Sequence, residues 1–449
     1  MKVYNSLTRR EEDFAPMDGK CARLYTCGPT VYNFAHIGNF RAYAFEDILR
    51  RAIQFNGWGV KQVMNLTDVD DKTIRGANAQ GVALTDYTRT YKDAFFADLK
   101  ELNIQPAEVY PAATDHIPEM IALVSKLVEK GVAYKSDDGS VYFAVTKFPG
   151  YGRLAHIDFD HQQTGARCAA DEYDKDNAGD FALWKAWEES DGPVGWDSPW
   201  GRGRPGWHIE CSAMSMKYLG ETFDLHTGGI DNLFPHHENE IAQAEAATGK
   251  EFVKTWMHCA HLRVNGEKMS KSAGNFFTLR DLLGKGFTGR EIRAVLVSAH
   301  YRQALNFTFT ALEDMRKALA RIDAALDKAT EGEIPDWAQK HLDDFTEAVN
   351  DDLNTPKAFA ALFGLVRDTN AHGGGAVLGA FRRMDEVLGF IFFGRDEKKT
   401  DEIPAEIRKI LDERAAARML LTNRRRTQFV NQYLQQLYDK ALKEGKIVQ

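Results

Sequence analysis

The chain has 449 residues, of which 44% are hydrophobic and 27% are charged. This is ordinary globular composition, so a disordered, collagen-like or coiled-coil chain is excluded, and the length predicts about three domains. The 57 basic and 65 acidic residues give a net charge of −8, which excludes a generally basic nucleic-acid-binding surface but not a local one.

The five cysteines are an odd number, which argues against a disulfide framework and favours a reducing compartment. The first 13 residues are charged and lack the apolar run of a signal peptide. No stretch of about 18 apolar residues predicts a membrane span. We therefore expect a soluble, cytoplasmic protein that is not bound to a membrane.

The first predicted elements form a strand–helix–strand unit. Residues 22–27 predict a strand that runs into the turn residues 28–30 (Gly-Pro-Thr). Apolar residues at helical spacing between Phe40 and Phe55 predict a helix, and residues 59–66 predict a second strand. This order predicts a parallel sheet.

Residues 36–39 (His-Ile-Gly-Asn) begin the predicted helix. Because the first turn of a helix has unpaired N–H groups and partial positive charge, it is a good phosphate site. Gly38 lets a ligand approach the backbone, and His36 can donate to a phosphate oxygen. The alternative is a capped helix with a buried histidine.

Beyond the second strand, helical patterns continue to about residue 131. Residues 140–200 are rich in Gly, Asp, Trp and Pro and show weak periodicity, which predicts an inserted subdomain of irregular structure. Strand-like segments at 221–226 and 253–264 predict that the sheet then resumes.

A second candidate nucleotide element follows the strand at 221–226, where His226 and Thr227 precede Gly228, Gly229 and Asp231. The glycines permit close approach to a ribose, and the carboxylate can accept from its hydroxyls. The alternative is an ordinary Gly-Gly turn.

A candidate metal site combines residues from three segments. His236 and Glu240 share a helix face at i, i+4, whereas His237 pairs with the apolar Ile241 and is the poorer candidate. With Cys27 and Cys211 they form a plausible zinc set. The alternative is two buried cysteines and a helix-cap histidine; we expect structural roles for the remaining cysteines, Cys21, Cys168 and Cys259.

A third candidate nucleotide element is the segment Lys268-Met269-Ser270-Lys271-Ser272, which has glycines on both sides. Two lysines on a mobile loop can place ammonium groups on a triphosphate and stabilise the charge of a nucleotidyl-transfer transition state. The alternative is a solvated surface turn.

The remainder of the chain is predicted to be helical. An amphipathic helical pattern runs from about residue 290 to Phe392, followed by a polar linker at 394–404 and one or two basic helices at 405–445. Residues 402–449 contain ten basic and six acidic residues, a net charge of +4.

These motifs together resemble class I aminoacyl-tRNA synthetases. Residues 36–39 resemble the HIGH signature, and residues 268–272 match the KMSKS signature in full. A closer resemblance, to the cysteinyl-tRNA synthetase family, spans about residues 1–400 and is carried by residues 25–32, 65–72, 180–185, 203–212 and 234–240.

The resemblance implies an α/β fold: a Rossmann-type parallel-sheet catalytic domain with an insertion, then a helical bundle and a small C-terminal helical domain. The expected boundaries are 1–120 and 203–262 for the two catalytic halves, 121–202 for the insertion, 263–310 for a linker domain with the lysine loop, 311–393 for the bundle, and 402–449 for a shortened basic tRNA-contacting region.

The resemblance also implies ATP-dependent activation of L-cysteine to cysteinyl-adenylate and transfer to the 3′ end of tRNA(Cys), by a monomer that uses ATP with Mg²⁺. One Zn²⁺ ion is expected on the four candidate ligands. The implied roles are catalysis by His36, Asn39, Lys268 and Lys271; ATP binding by Gly38, Gly228, Gly229, Asp231 and Lys271; and cysteine binding by Thr67, Trp207 and His226.

The chain departs from the family pattern at two places. Asn39 replaces the second histidine of the HIGH signature but keeps a donor and an acceptor. The family's last segment usually has an Asp-rich stretch with Gly and Trp that recognises the anticodon, whereas this chain has no tryptophan after Trp337. Its basic tail can hold tRNA phosphates, with candidate contacts at Arg424, Arg425 and Arg426.

Two other functions are consistent with these motifs. One is a small-molecule ligase that makes cysteinyl-adenylate and passes cysteine to an amine. The other is a non-catalytic, zinc-stabilised RNA-binding or regulatory paralogue, which would have eroded active-site residues.

Overall fold

The computed structural model describes residues 1–157, 179–269 and 274–395. Met1–Phe393 forms one unit, and Gly394–Gln449 forms another that lies almost wholly outside the described residues. The described strands are β1 (Lys2–Asn5), β2 (Arg10–Asp13), β3 (Cys21–Thr26), β4 (Gly59–Met64), β5 (Ala133–Lys135), β6 (Val141–Phe143), β7 (Phe181–Ala186), β8 (Gly203–Pro205), β9 (Phe223–Gly229), β10 (Val253–Cys259), β11 (Leu262–Val264), β12 (Glu267–Lys268) and β13 (Leu305–Phe307).

The described helices are α1 (Ile37–Phe55), α2 (Asp71–Gln80), α3 (Leu84–Glu101), α4 (Ile117–Glu129), α5 (Trp207–Leu219), α6 (Glu238–Thr248), α7 (Leu279–Leu283), α8 (Gly289–Leu296), α9 (Phe309–Leu326), α10 (Asp336–Asn350), α11 (Thr355–Ala371) and α12 (Leu378–Leu388). None of them is long and apolar enough to cross a membrane.

The central sheet has four parallel strands in the order β10-β9-β3-β4. Strand β4, which follows β3 and α1 in the chain, pairs with one edge of β3. Strand β9 pairs with the other edge. Loops therefore diverge at the carboxyl ends of β3 and β9, which is where ligands bind in open α/β sheets. The sheet confirms the predicted parallel α/β fold.

Strand β9 runs three residues beyond the predicted strand at 221–226. Gly228 and Gly229 are the last residues of β9 and pair with His258 and Cys259 of β10. The alternative of an ordinary Gly-Gly turn is therefore excluded, because pairing with β10 holds both glycines extended.

The described part of the insertion is irregular over most of 140–200, as predicted, but it also contains two strands that the prediction missed, β6 and β7. Strands β5, β6, β7 and β8 form an antiparallel sheet in sequence order, and Phe143 stacks on Phe181 across it at 5.0 Å. Three of these strands have only three residues, too few to establish a period-two pattern in the sequence.

After β10, the strands β12, β11 and β13 form a second small sheet, with β11 and β13 parallel. Strand β13 lies inside the segment predicted to be wholly helical, and its three residues were too short to be found. Helices α9 to α12 agree with the predicted amphipathic pattern.

A buried charge network ties α1 to the helices that follow the sheets. Arg293 of α8, fully buried, lies 2.5 Å from the Asp47 carboxylate of α1 and donates to the Leu388 carbonyl at 2.8 Å. Arg51 donates to the same Asp47 oxygen at 2.7 Å, and Arg290 donates to the carbonyls of residues 390 and 391, both at 2.8 Å. The network joins the last turn of α12 to the middle of α1.

Candidate active site

A cavity of about 600 Å³ lies at the carboxyl ends of the parallel strands, where segments that follow β3, β4, β9 and β10 meet. Of the predicted site residues, those that line it are Cys27, His36, Gly38, Asn39, Thr67, Trp207, Cys211, Gly229, Asp231, His236 and Lys268. Gly228, His226 and Glu240 do not line it. Lys271, Arg424, Arg425 and Arg426 lie outside the described residues.

The start of α1 is held by a reciprocal cap. The His36 Nδ1 atom accepts from the Asn39 backbone N–H at 3.1 Å, and the Asn39 side-chain oxygen accepts from the His36 backbone N–H at 3.1 Å. Since Nδ1 is an acceptor, the neutral ring carries its proton on Nε2, which makes that atom a donor. Asn39 thus takes part in a contact that also orients His36.

The lysine loop begins against the same helix terminus. A side chain at Gly38 would place its Cβ 2.9 Å from His36 Nδ1 and 3.1 Å from Met269 Cε, so glycine permits this close packing. Lys268, just before Met269, is exposed and lines the cavity. Two of the predicted phosphate elements therefore meet in one cavity, although they are far apart in the sequence.

A cluster of possible metal ligands lies at the inner end of the cavity. One ligand atom from each of Cys27, His236, His237 and Glu240 lies within 4.8 Å of all the others. The Cys27 sulfur lies 3.2 Å from His237 Nε2, and a Glu240 oxygen lies 3.1 Å from His236 Nε2. Cys211 is close enough to hydrogen-bond the Cys27 thiol and influence its pKa. The structure thus brings three of the four predicted ligands, Cys27, His236 and Glu240, into one cluster with His237, and Cys211 lies next to Cys27 outside that cluster.

Burial sets the protonation states in this cluster. It raises the pKa of Glu240 to about 8, against a smaller lowering effect of His236. It lowers the pKa of both His226 and His236 to about 3, so the rings are neutral and able to bind a metal. Glu240 has no Lys or Arg partner among the described residues. A buried carboxylate, thiols and neutral imidazoles without a cationic side chain suit a cation such as zinc.

The three predicted cysteine-binding residues differ in their exposure and in whether they line the cavity. Trp207 stacks on His236 with the ring centroids 4.2 Å apart and is 38% exposed. Thr67 is buried and donates to the buried Glu210 at 3.0 Å. His226 lies behind the cluster, with its Nε2 2.9 Å from Glu240, so it orients Glu240 and does not line the cavity.

Histidines that the sequence did not single out support this cluster. His208 Nδ1 lies 2.8 Å from His236 Nδ1, and His258 lies 2.9 Å from His237 and 2.7 Å from the Ser6 hydroxyl. His208 stands three residues before Cys211, a helical spacing that could have revealed it. Ser6 and His258 are 252 residues apart, so no local signal joins them.

Comparisons with known proteins agree with this geometry. The family model described as tRNA synthetases class I (C) catalytic domain matches residues 13–317, and that of the DALR domain matches residues 344–393. The chain is similar to a cysteine–tRNA ligase of Protochlamydia amoebophila, with 50% identity over 437 residues that cover 93% of this chain and 91% of the relative.

A cysteine–tRNA ligase of Brachyspira hyodysenteriae is 48% identical over 451 aligned residues, covering 96% of this chain and 95% of the relative. Among solved structures, Mycobacterium tuberculosis methionyl-tRNA synthetase in complex with methionyl-adenylate is similar, with a TM-score of 0.58 and 15% identity. The alignment covers 83% of this chain and 88% of that one, and at this identity it indicates a shared fold alone.

Proposed function

The chain belongs to the cysteine–tRNA ligase family, and on that premise we propose that the cavity activates L-cysteine with ATP and then esterifies the 3′ end of tRNA(Cys). The observation that carries this proposal is the meeting of the two signature segments and the metal-ligand cluster in one cavity. The test is cysteine-dependent exchange of pyrophosphate into ATP, followed by tRNA-dependent release of AMP.

The same test separates the two alternatives. A small-molecule ligase would release AMP with an amine acceptor and without tRNA. A non-catalytic paralogue would support neither exchange nor release.

In the activation step, the cysteine carboxylate attacks the α-phosphorus of ATP in line, a P–O bond forms, and the bond to pyrophosphate breaks. The protein contributes positioning and charge stabilisation. The Gly38 N–H at the start of α1 and the His36 Nε2–H face phosphate oxygens, and Lys268 and Lys271 hold the pyrophosphate. Gly229 and Asp231 bind the ribose, and Gly228 precedes them at the end of β9. Mg²⁺ accompanies ATP.

In the transfer step, a hydroxyl of the terminal ribose of tRNA attacks the cysteinyl carbonyl and displaces AMP. Thr67 and Trp207 flank the amino acid, while His226 holds Glu240 in place. The adenylate already lies in the cavity, so only the tRNA end must enter from its open side.

We assign one zinc ion to Cys27, Cys211, His236 and Glu240. The donor types support this, since zinc favours thiolate, imidazole and carboxylate ligands in fours or in threes with an open position. When bound, zinc would supply an acceptor for the substrate thiolate. The chain's own residues shape that position: Trp207 covers His236, and His237 contacts Cys27.

The neighbouring histidines provide a matched test of this ligand set. We expect the purified protein to contain about one zinc per chain, and Cys211→Ala and His236→Ala to lose most of it because each removes a direct ligand. His237→Ala should retain zinc, since His237 acts on Cys27. Metal analysis after removal of free metal measures this. Full zinc in His236→Ala, or loss only in His237→Ala, would refute the assignment.

We also propose the domain boundaries given above, with residues 402–449 as a tRNA-contacting region. The family matches at 13–317 and 344–393 support a catalytic part followed by a helical one. We propose that the chain acts as a monomer in the cytoplasm. The odd number of cysteines supports a reducing compartment.

The basic tail leads to a prediction about tRNA binding. Replacing Arg424, Arg425 and Arg426 together by alanine should weaken tRNA binding and flatten its salt dependence, by about one unit of slope per lost phosphate contact. Replacement by lysine keeps the charge and should keep the slope. Filter-binding titrations at several salt concentrations measure both.

Phosphate contacts raise affinity without carrying sequence information. We therefore expect charging to depend less on the anticodon than is usual for the family. A fall of several orders of magnitude on substitution of the first anticodon base would show that the tail does recognise it.

A further inference from the structure

The loop between Cys27 and His36 exposes two aromatic rings to the cavity. Tyr32 is 36% exposed and Phe34 is 38% exposed, and both line the cavity. Nine large hydrophobic side chains are exposed among the described residues, and only these two and Trp207 line it. Since Trp207 covers His236, Tyr32 and Phe34 are the exposed rings without a role in the proposed chemistry.

The loop backbone at Tyr32 and the Phe34 ring are both held in place by neighbouring residues. The Val31 N–H donates to the Thr67 carbonyl at 3.0 Å, and the Tyr87 hydroxyl donates to the Tyr32 carbonyl at 2.8 Å. The Phe34 ring packs edge-on against Tyr91 with centroids 5.4 Å apart. A rigid, exposed aromatic surface loses little conformational entropy when a flat group stacks on it.

A cation lies beside the rings. Lys72 Nζ is 5.2 Å from the centroid of the Tyr32 ring, and the lysine is exposed and lines the cavity. Lys72 forms no ion pair within the described part of the chain. Arg280, 4.7 Å from the Phe34 centroid, is neutralised by Asp98 at 2.6 Å. Exposed rings beside an unpaired cation are typical of surfaces that bind single-stranded nucleic acid.

The position of the rings separates them from the proposed ribose contacts. Lys72 follows β4, on one side of β3, whereas Gly229 and Asp231 follow β9 on the other. The Tyr32 ring lies beside Lys72 of α2, and the Phe34 ring packs against Tyr91 of α3. They therefore lie on the side of the cavity that the ribose contacts leave open.

We propose that Tyr32 and Phe34 form a stacking platform for the unpaired bases at the 3′ end of tRNA, with Lys72 beside the backbone phosphates. This inference rests on the proposed function, because it assumes that an RNA end enters the cavity. Every base has a flat face, and stacking of one base on one ring is worth about a tenfold to hundredfold change in affinity.

The test compares variants that keep apolar bulk with variants that keep a flat ring. Tyr32→Leu and Phe34→Leu remove the aromatic face, and Tyr32→Phe restores it. Phe96→Leu is the matched control, because Phe96 is 38% exposed but does not line the cavity. Each variant is assayed for pyrophosphate exchange and for single-turnover transfer from preformed cysteinyl-adenylate to tRNA.

We expect each leucine variant to lose at least tenfold more in transfer at subsaturating tRNA than in pyrophosphate exchange. Tyr32→Phe and Phe96→Leu should show no such difference. A tRNA(Cys) with 2-aminopurine as its 3′-terminal base gives a second readout, because stacking quenches its fluorescence. The quench on binding should be weaker in the leucine variants.

Two results would overturn the platform. Equal losses in exchange and transfer would place the rings against ATP or cysteine, and unchanged transfer with an unchanged quench would leave them without a tRNA contact. Absence of cysteine-dependent exchange in the unaltered protein is a different failure, since it would refute the proposed function itself.

Discussion

Lys271→Ala should slow formation of cysteinyl-adenylate by about 10²- to 10³-fold, the scale on which removal of one transition-state donor acts. The structure places Lys268, three residues before Lys271, in the cavity and Met269 against Gly38. Negative charge develops on the departing pyrophosphate, and a lysine that meets it only in the transition state stabilises that state selectively.

The kinetic pattern separates this role from ground-state binding. Loss of a transition-state interaction lowers kcat and kcat/KM together, whereas loss of uniform binding raises KM alone. Pyrophosphate-exchange kinetics at varied ATP measure both quantities. Lys317→Ala, at an exposed helix position, is the control and should be unchanged. An unaltered kcat with a raised KM for ATP would contradict the prediction.

The second large effect concerns the choice between cysteine and serine. We expect kcat/KM for pyrophosphate exchange with cysteine to exceed that with serine by ~10⁴ or more, the range reached when a site bonds the discriminating atom directly. A hydrophobic pocket separates near-isosteres by only ~10–200-fold. The buried cluster beside Trp207 offers a metal site where the thiol would bind.

The zinc ligands connect this selectivity to the metal. His236→Ala should lose zinc and, with it, most of the preference for cysteine in any residual exchange. His237→Ala should keep both. Comparable kcat/KM values for the two amino acids in the unaltered protein would exclude a direct contact between zinc and the thiolate.

The sequence predicted those parts of the site whose residues are close together in the chain. The spacing of His236 and Glu240 follows from helix geometry, and the structure has this pair in contact. The parallel sheet followed from the first strand, helix and second strand. Each of these predictions needed only periodicity within about 45 residues.

The features that were missed depend on tertiary packing. His237 enters the ligand cluster through Cys27, more than 200 residues earlier in the chain. The insertion sheet and β13 consist of strands too short to show a pattern. Tyr32 and Phe34 are exposed aromatic residues in a loop, and only the cavity distinguishes them from any other surface residue.

The charge network around Asp47 means that the catalytic segment cannot be excised from the helices after it. The catalytic family match ends at residue 317, but Arg290 and Arg293 donate to carbonyls of residues 388, 390 and 391. A fragment cut at 317 would keep both guanidinium groups and lose those acceptors, at a cost of about 1.5–3 kcal/mol for each charged hydrogen bond. Arg293 contacts Asp47 of α1, a helix of about 28 Å that has His36 at its N-terminal end. The boundary between the two family matches is therefore not a boundary between independently folding units, because the helices beyond it supply hydrogen-bond acceptors to the catalytic part.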